Sequence, residues 1–238
     1  MYQSHKVYIT EDMIFSELVL ENPTLLLMLE FFGVDDAIND KTVKDICECY
    51  TIHLSTFLMF ANLYNGFRPN SKDVNMETVD VRNIIKFLKS THQAYRGEKY
   101  PKIQNLIKDL YVRQDAKEVE RLEFFFNDYF DEVLEHLKYE EEYAFPYFCQ
   151  LIGDVSQSVN VNFSVNEYRD HHSDIGTKLS DLKNLLIKHI TLKGDFPLKR
   201  QIINHLFDLE NDLAIHSMIE ELVLQPVIQA YEKQRDNG

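Results

Sequence analysis

The 238-residue chain has no tryptophan, only seven glycines and six prolines, and three cysteines. So few turn-formers exclude a fold of many short strands and point to long helices with few connections. They also leave little room for a phosphate-cradling loop, and no Walker loop, Rossmann glycine motif or Gly-x-Ser-x-Gly elbow occurs. The nucleotide-binding and serine-nucleophile classes of enzyme are therefore set aside. Positive charge is scarce: 25 Lys and Arg stand against 39 Asp and Glu, a net charge of −14. Such an acidic surface is repelled by phosphate backbones and anionic lipid, which argues against nucleic-acid and membrane partners. In the first part of the chain the longest apolar run is Leu25–Leu29, far short of a membrane span. Residues 1–20 lack the basic stretch and long apolar segment of an export signal, so the expectation is a cytoplasmic protein. The odd set Cys47, Cys49 and Cys149 suits a reducing compartment and free thiols. Cys47-x-Cys49 near His53 lacks the usual two-residue spacing of a metal-binding pair and reads as ordinary thiols.

What is present is helical punctuation. Thr10 can cap a first helix, Asn22-Pro23 opens a second, Gly33 ends it, and Thr42 can cap a third. The apolar stretch Ile52–Tyr64 stops at Asn65-Gly66, and the polar, turn-rich run from Arg68 to Asn75 reads as a linker. The expected organisation is all-α, with a small helical domain over 1–70 and a larger helical bundle over 76–238. Four long patterns follow in the larger part, with natural turns around Gly153–Val161 and Leu192–Pro197. The first carries Val81, Ile84, Ile85, Leu88 and His92, with a kink or restart near Pro101. The second carries Leu122, Phe126, Tyr129, Val133, His136 and Glu140. The third carries Val165, Tyr168, His172, Ile175, Leu179, Leu182 and Leu186. The fourth runs Ile202, Leu206, Leu209, Leu213, His216, Glu220, Val223 and Val227. Steps of three and four make each stripe the core face of a helix.

Four histidines and two glutamates thus stand where apolar residues are expected. A lone histidine on such a stripe is usually a hydrogen-bonded core residue. Six polar groups together need another account, because an ionised carboxylate inside a bundle costs several kcal/mol unless a cation or metal balances it. No Lys or Arg lies on these stripes to do so. An internal repeat sharpens the point. His136-x3-Glu140-Glu141-x4-Pro146 matches His216-x3-Glu220-Glu221-x4-Pro226 position for position. The offset is 216 − 136 = 80, and His92 and His172 share it, 172 − 92 = 80. The symmetry and the stripe together select His172 over His171 as the inward residue. A His-x3-Glu spacing puts imidazole and carboxylate on one helix face a turn apart. Imidazole with carboxylate suits iron, manganese or zinc, and the absence of thiolate disfavours copper(I). Six ligands could surround one ion. The repeat favours two, each with two histidines, the glutamates bridging and positions left open for a small ligand. Ferritin-like sites differ, using Glu-x-x-His and more carboxylates than histidines.

At these residues the chain resembles the hemerythrin-like, or HHE, proteins, most closely the di-iron proteins that repair iron–sulfur clusters. The motifs are Thr91-His92-Gln-Ala-Tyr95 with Pro101, His136 through Pro146, His172-Ser-Asp-Ile-Gly176 and His216 through Pro226, covering about residues 79–231. The resemblance implies an up-down four-helix bundle holding two iron ions, with Mn or Zn as substitutes, bridged by oxygen and carboxylate. It implies His92, His136, His172 and His216 as terminal ligands and Glu140 and Glu220 as bridges, with Glu141 and Glu221 backing the ligands or facing solvent. The first domain is similar to the short amino-terminal domain of the repair proteins through Glu21-Asn-Pro23, Phe31-Phe-Gly-Val-Asp35 and Lys41-Thr42-Val43. Where those carry two adjacent cysteines and two glycines, this chain reads Ala37-Ile38-Asn39-Asp40. The implied function is repair of, or iron supply to, iron–sulfur clusters under nitrosative or oxidative stress, with iron–sulfur proteins as partners, rather than a conventional enzymatic reaction. The alternatives are a reversible O2- or NO-binding sensor or carrier, and a metal-free helical interaction protein. The oligomeric state is left open, a dimer being compatible.

Overall fold

The computed structural model describes residues 6–114, 117–153, 163–171, 175–189 and 196–237. Among the described residues it is helical throughout, with no strand beyond an isolated bridge between Ile14 and Thr42. The small helices are α1 (Phe15–Glu21), α2 (Thr24–Phe31), α3 (Val43–Tyr50) and α4 (Leu54–Tyr64). Then come α5 (Val81–Ala94), α6 (Tyr100–Gln114), α7 (Lys117–Tyr139), α8 (Phe145–Leu151), α9 (Val165–His171), α10 (Ile175–Lys188), α11 (Phe196–Ile219) and α12 (Gln225–Asp236). Among the described residues no helix is long and apolar enough to cross a membrane.

Local chemistry explains most of the boundaries. The Asn22 side chain accepts from the Thr24 backbone and hydroxyl at 3.2 and 2.6 Å, starting α2 behind Pro23. Gly33 ends that helix at φ +77°, a left-handed position that glycine occupies without a Cβ penalty. Thr42 and Asp45 form a capping box: Thr42 Oγ1 accepts from the Asp45 N–H at 3.1 Å, and Asp45 accepts from the Thr42 N–H at 2.9 Å. Those bonds hold the exposed Asp45 carboxyl below its ordinary value. Thr42→Ala should cost about 1 kcal/mol and lower the melting temperature by about 2–4 °C, read by thermal denaturation followed by circular dichroism. Thr10 does not cap α1 as expected. The helix starts at Phe15 after Ile14, and Thr10 lies in a preceding turn, its carbonyl accepting from the Met13 N–H.

Chain contacts divide into two compact units: Met1–Thr91 with Phe145–Val161 and Ile215–Gly238, and His92–Ala144 with Asn162–Ala214. In the first unit α1 packs on α2, α2 and α3 on α4, and α12 on α8. Its core is aromatic. The Phe32 ring lies 5.1 Å from Phe57, 5.5 Å from Phe60 and 4.8 Å from Phe87. Phe87 belongs to α5, so the polar linker separates helices without separating their cores. In the second unit α7 packs against α6 and α10 around Leu122, Phe126, Val133, Leu179, Leu182, Ile202, Leu206 and Leu209. One position of the fourth stripe differs from expectation: Asp212 is buried where Leu213 is only half-buried, because Asp212 pairs with Lys99. A buried cation, Lys183, pairs with Glu210 and lies over the Phe207 ring.

Three helices change winding at equivalent points. Single π-helical turns span Tyr95–Lys99, Glu140–Ala144 and Glu220–Leu224, and a proline follows two residues after each: Pro101, Pro146 and Pro226. Proline has no N–H to donate, and its ring clashes with the carbonyl four residues back, here that of Gly97, Glu142 or Leu222. Opening the turn by one residue relieves that clash without ending the helix. The kink expected near Pro101 is thus a π turn just before it.

Candidate metal centre

The second unit gathers three of the expected ligands, two imidazoles around one carboxylate. His92, at the end of α5, is completely buried, as is Glu140, the first residue of its π turn. His92 Nε2 lies 3.3 Å from Glu140 Oε2, and His136 Nε2 lies 3.3 Å from Glu140 Oε1. Each oxygen of Glu140 therefore faces a different imidazole. The Tyr168 hydroxyl, also buried, donates to Glu140 Oε1 at 3.0 Å. His92 Nδ1 contacts Glu141 Oε1 at 2.8 Å, and Arg96 donates from one nitrogen to both oxygens of Glu141 at 2.9 and 3.0 Å.

The first unit holds the counterpart. His216 Nε2 lies 3.2 Å from Glu220 Oε1, both residues buried. The Thr91 hydroxyl donates to the Leu88 carbonyl at 2.7 Å and lies 2.9 Å from His216 Nδ1. A hydroxyl has one proton. With that proton on Leu88, Thr91 accepts from His216 Nδ1–H, which leaves the Nε2 lone pair facing Glu220. A carboxylate at Nδ1 fixes the same tautomer for His92. His172 lies outside the described residues.

For His92 and His216 the contact sets an imidazole lone pair against a carboxylate oxygen, two acceptors that repel unless a proton or a cation lies between them. With a proton there, electrostatics behave accordingly. Burial disfavours the His92 imidazolium, but hydrogen bonds and attraction from Glu140 and Glu141 outweigh burial and hold its pKa above the ordinary histidine value. Burial likewise disfavours charge on Glu140, yet bonds from His136 and His92 keep its carboxyl well below the usual range. Glu141 is lowered in the same way by His92 and Arg96 against its partial burial. A cation fits the same gaps. Bonds of about 2.0–2.2 Å to one ion set neighbouring donors about 2.8–3.6 Å apart, which brackets the observed 3.2–3.3 Å. Buried His92, Glu140 and His216 each offer one donor atom of a kind that holds a metal ion.

Of the supporting partners, Thr91 carried no signal beyond preceding His92, and Tyr168 read as a core-face residue of the third stripe. Glu141 was expected to back a ligand or meet solvent, and it backs His92, whereas Glu221 is exposed. The cysteines behave as ordinary thiols: Cys49 is exposed, while Cys47 is buried and its thiol is pushed up to about 12 by burial and the neighbouring Glu48. His53 caps α4, accepting from the Thr56 N–H.

Comparison with known proteins agrees with this geometry. The sequence pattern described as the hemerythrin HHE cation binding domain matches residues 83–228. The chain is also similar to the iron-sulfur cluster repair protein ScdA of Staphylococcus haemolyticus, with 22% identity over 228 residues that cover 91% of this chain and 97% of that one.

Proposed function

Since the chain belongs to the hemerythrin HHE cation-binding family, we propose that His92, His136, His172, His216, Glu140 and Glu220 hold two iron ions. We further propose that this centre serves repair of, or iron supply to, iron–sulfur clusters under nitrosative or oxidative stress in the cytoplasm. The observation that carries the two-ion reading is Glu140, buried and facing His92 with one oxygen and His136 with the other. The likeness to a cluster repair protein along nearly the whole chain supports the repair role. The partners would then be iron–sulfur proteins, with O2 and NO as small ligands.

When bound, the iron pair would supply one-electron chemistry and open positions for a diatomic ligand. The protein's own part is to hold and shield it. Thr91 and Glu141 fix the two imidazoles in the tautomer that presents Nε2. Tyr168 donates to Glu140 and restrains its rotation. The apolar stripes exclude bulk water from both units. Mn or Zn meets the same donor chemistry.

A sensor or carrier of O2 or NO is the second reading, and it is favoured by one observation. Ala37-Ile38-Asn39-Asp40 stands where the repair proteins carry a thiol pair. Protein purified without air, assayed for metal and for reactivation of a cluster enzyme damaged by NO, separates these readings. Repair predicts about two irons per chain and recovery of the damaged enzyme. Iron with reversible ligand binding but no recovery establishes the sensor, and an absence of stoichiometric metal overturns both.

A further inference from the structure

Arg96 and Glu141 lie outside the proposed ligand set, yet they stand one hydrogen bond behind it. His92 Nδ1–H donates to Glu141 Oε1 at 2.8 Å, and Arg96 grips both oxygens of that carboxylate. Glu141 is 28% exposed and Arg96 33% exposed. The pair therefore occupies the edge of the site, in contrast to the fully buried His92 and Glu140. The other backed imidazole, His216, donates to a neutral group, the Thr91 hydroxyl. One imidazole is thus backed by a carboxylate and the other by a hydroxyl.

We propose that Arg96 and Glu141 form a positioning pair that acts with opposite signs on the metal held by His92, Glu141 strengthening its hold and Arg96 moderating it. An anionic acceptor on Nδ1–H pushes electron density toward Nε2, making the ring a stronger donor and favouring the more highly charged metal. The guanidinium draws density from that same carboxylate and weakens the push. Among the described residues Arg96 hydrogen-bonds Glu141, and its hydrogen-bonded path to His92 runs through that carboxylate. The inference rests on His92 being a ligand, as set out above.

Opposite signs make the pair testable apart from folding. Full-length wild type, Glu141→Gln, Arg96→Met and the double variant would be loaded with ferrous iron. Metal content, the rate of release to a chelator and the midpoint potential would then be measured. Glu141→Gln keeps an oxygen for Nδ1–H and removes only charge. It should release iron about 10-fold faster, the lower end of what losing such a partner does to metal affinity, and shift the potential upward. Arg96→Met should slow release and shift the potential downward. The double variant should lie closer to Glu141→Gln than to Arg96→Met, since the hydrogen-bonded path from Arg96 to the ring runs through Glu141. Two single variants that move in the same direction mark a purely structural pair and overturn the proposal, as does Glu141→Gln indistinguishable from wild type. A wild-type protein holding one ion refutes the two-iron reading alone, because the opposite signs remain readable on that ion. One holding none refutes both.

Discussion

Alanine in place of Glu140 is expected to leave the purified protein essentially without iron, not with half its iron. In the proposed centre Glu140 bridges both ions, since its two oxygens face His92 and His136 separately. Losing a terminal histidine weakens one position, whereas losing the bridge strips a donor from each and removes the anion that balances their charge. The metal-free fold should suffer too. Removing one partner from a buried charged cluster costs about 3–5 kcal/mol, and the Tyr168 hydroxyl would lose its acceptor. Glu221→Ala supplies the control, being adjacent to Glu220 in sequence but exposed. Elemental analysis and thermal denaturation read both effects. Full iron content in Glu140→Ala would rule out the bridging assignment.

The second large effect is a stability difference between metal-free and loaded protein that widens as pH rises. In the metal-free protein, His92 has a folded pKa above its ordinary 6.5, so its contribution is complete below that value and is lost as pH rises through the raised pKa. Glu140 and Glu141 have folded pKa values below their ordinary 4.5, so theirs is complete above that value and is lost as pH falls through the lowered ones. Metal-free protein should be most stable between those ordinary values, in mildly acid solution. Metal competes with protons for the same nitrogens and oxygens, so the loaded protein gains most above neutrality, where the proton is gone. At a free metal concentration a thousandfold above Kd the gain is about 4 kcal/mol, and about 2–4 °C per kcal/mol makes that about 8–16 °C. Melting curves with and without chelator across pH 5 to 8 measure it. A difference that shrinks with rising pH would contradict the ligand assignment.

The sequence made the helical class and the candidate ligands legible, since both follow from period and repeat. Steps of three and four put the stripe residues inside, and the 80-residue offset pairs the motifs within the sequence itself. What stayed hidden depends on what comes to lie opposite. Thr91 reaches His216 across 125 positions, and Glu141 reaches His92 across 49. No local pattern announces such encounters. Asp212 misled for the same reason: its burial makes sense only once Lys99 is seen beside it.

Pro101, Pro146 and Pro226 also bear on the phase of the helices they interrupt. Each π turn inserts a residue into a helix that otherwise advances about 100° per residue. A wheel drawn through the whole helix therefore slips out of phase beyond Pro101, Pro146 and Pro226. Leu224 and Ile228 are fully buried alongside Val223 and Val227. Deleting one residue between Glu220 and Pro226 would restore regular winding and swing everything downstream to a different azimuth, so length between glutamate and proline is itself part of the design.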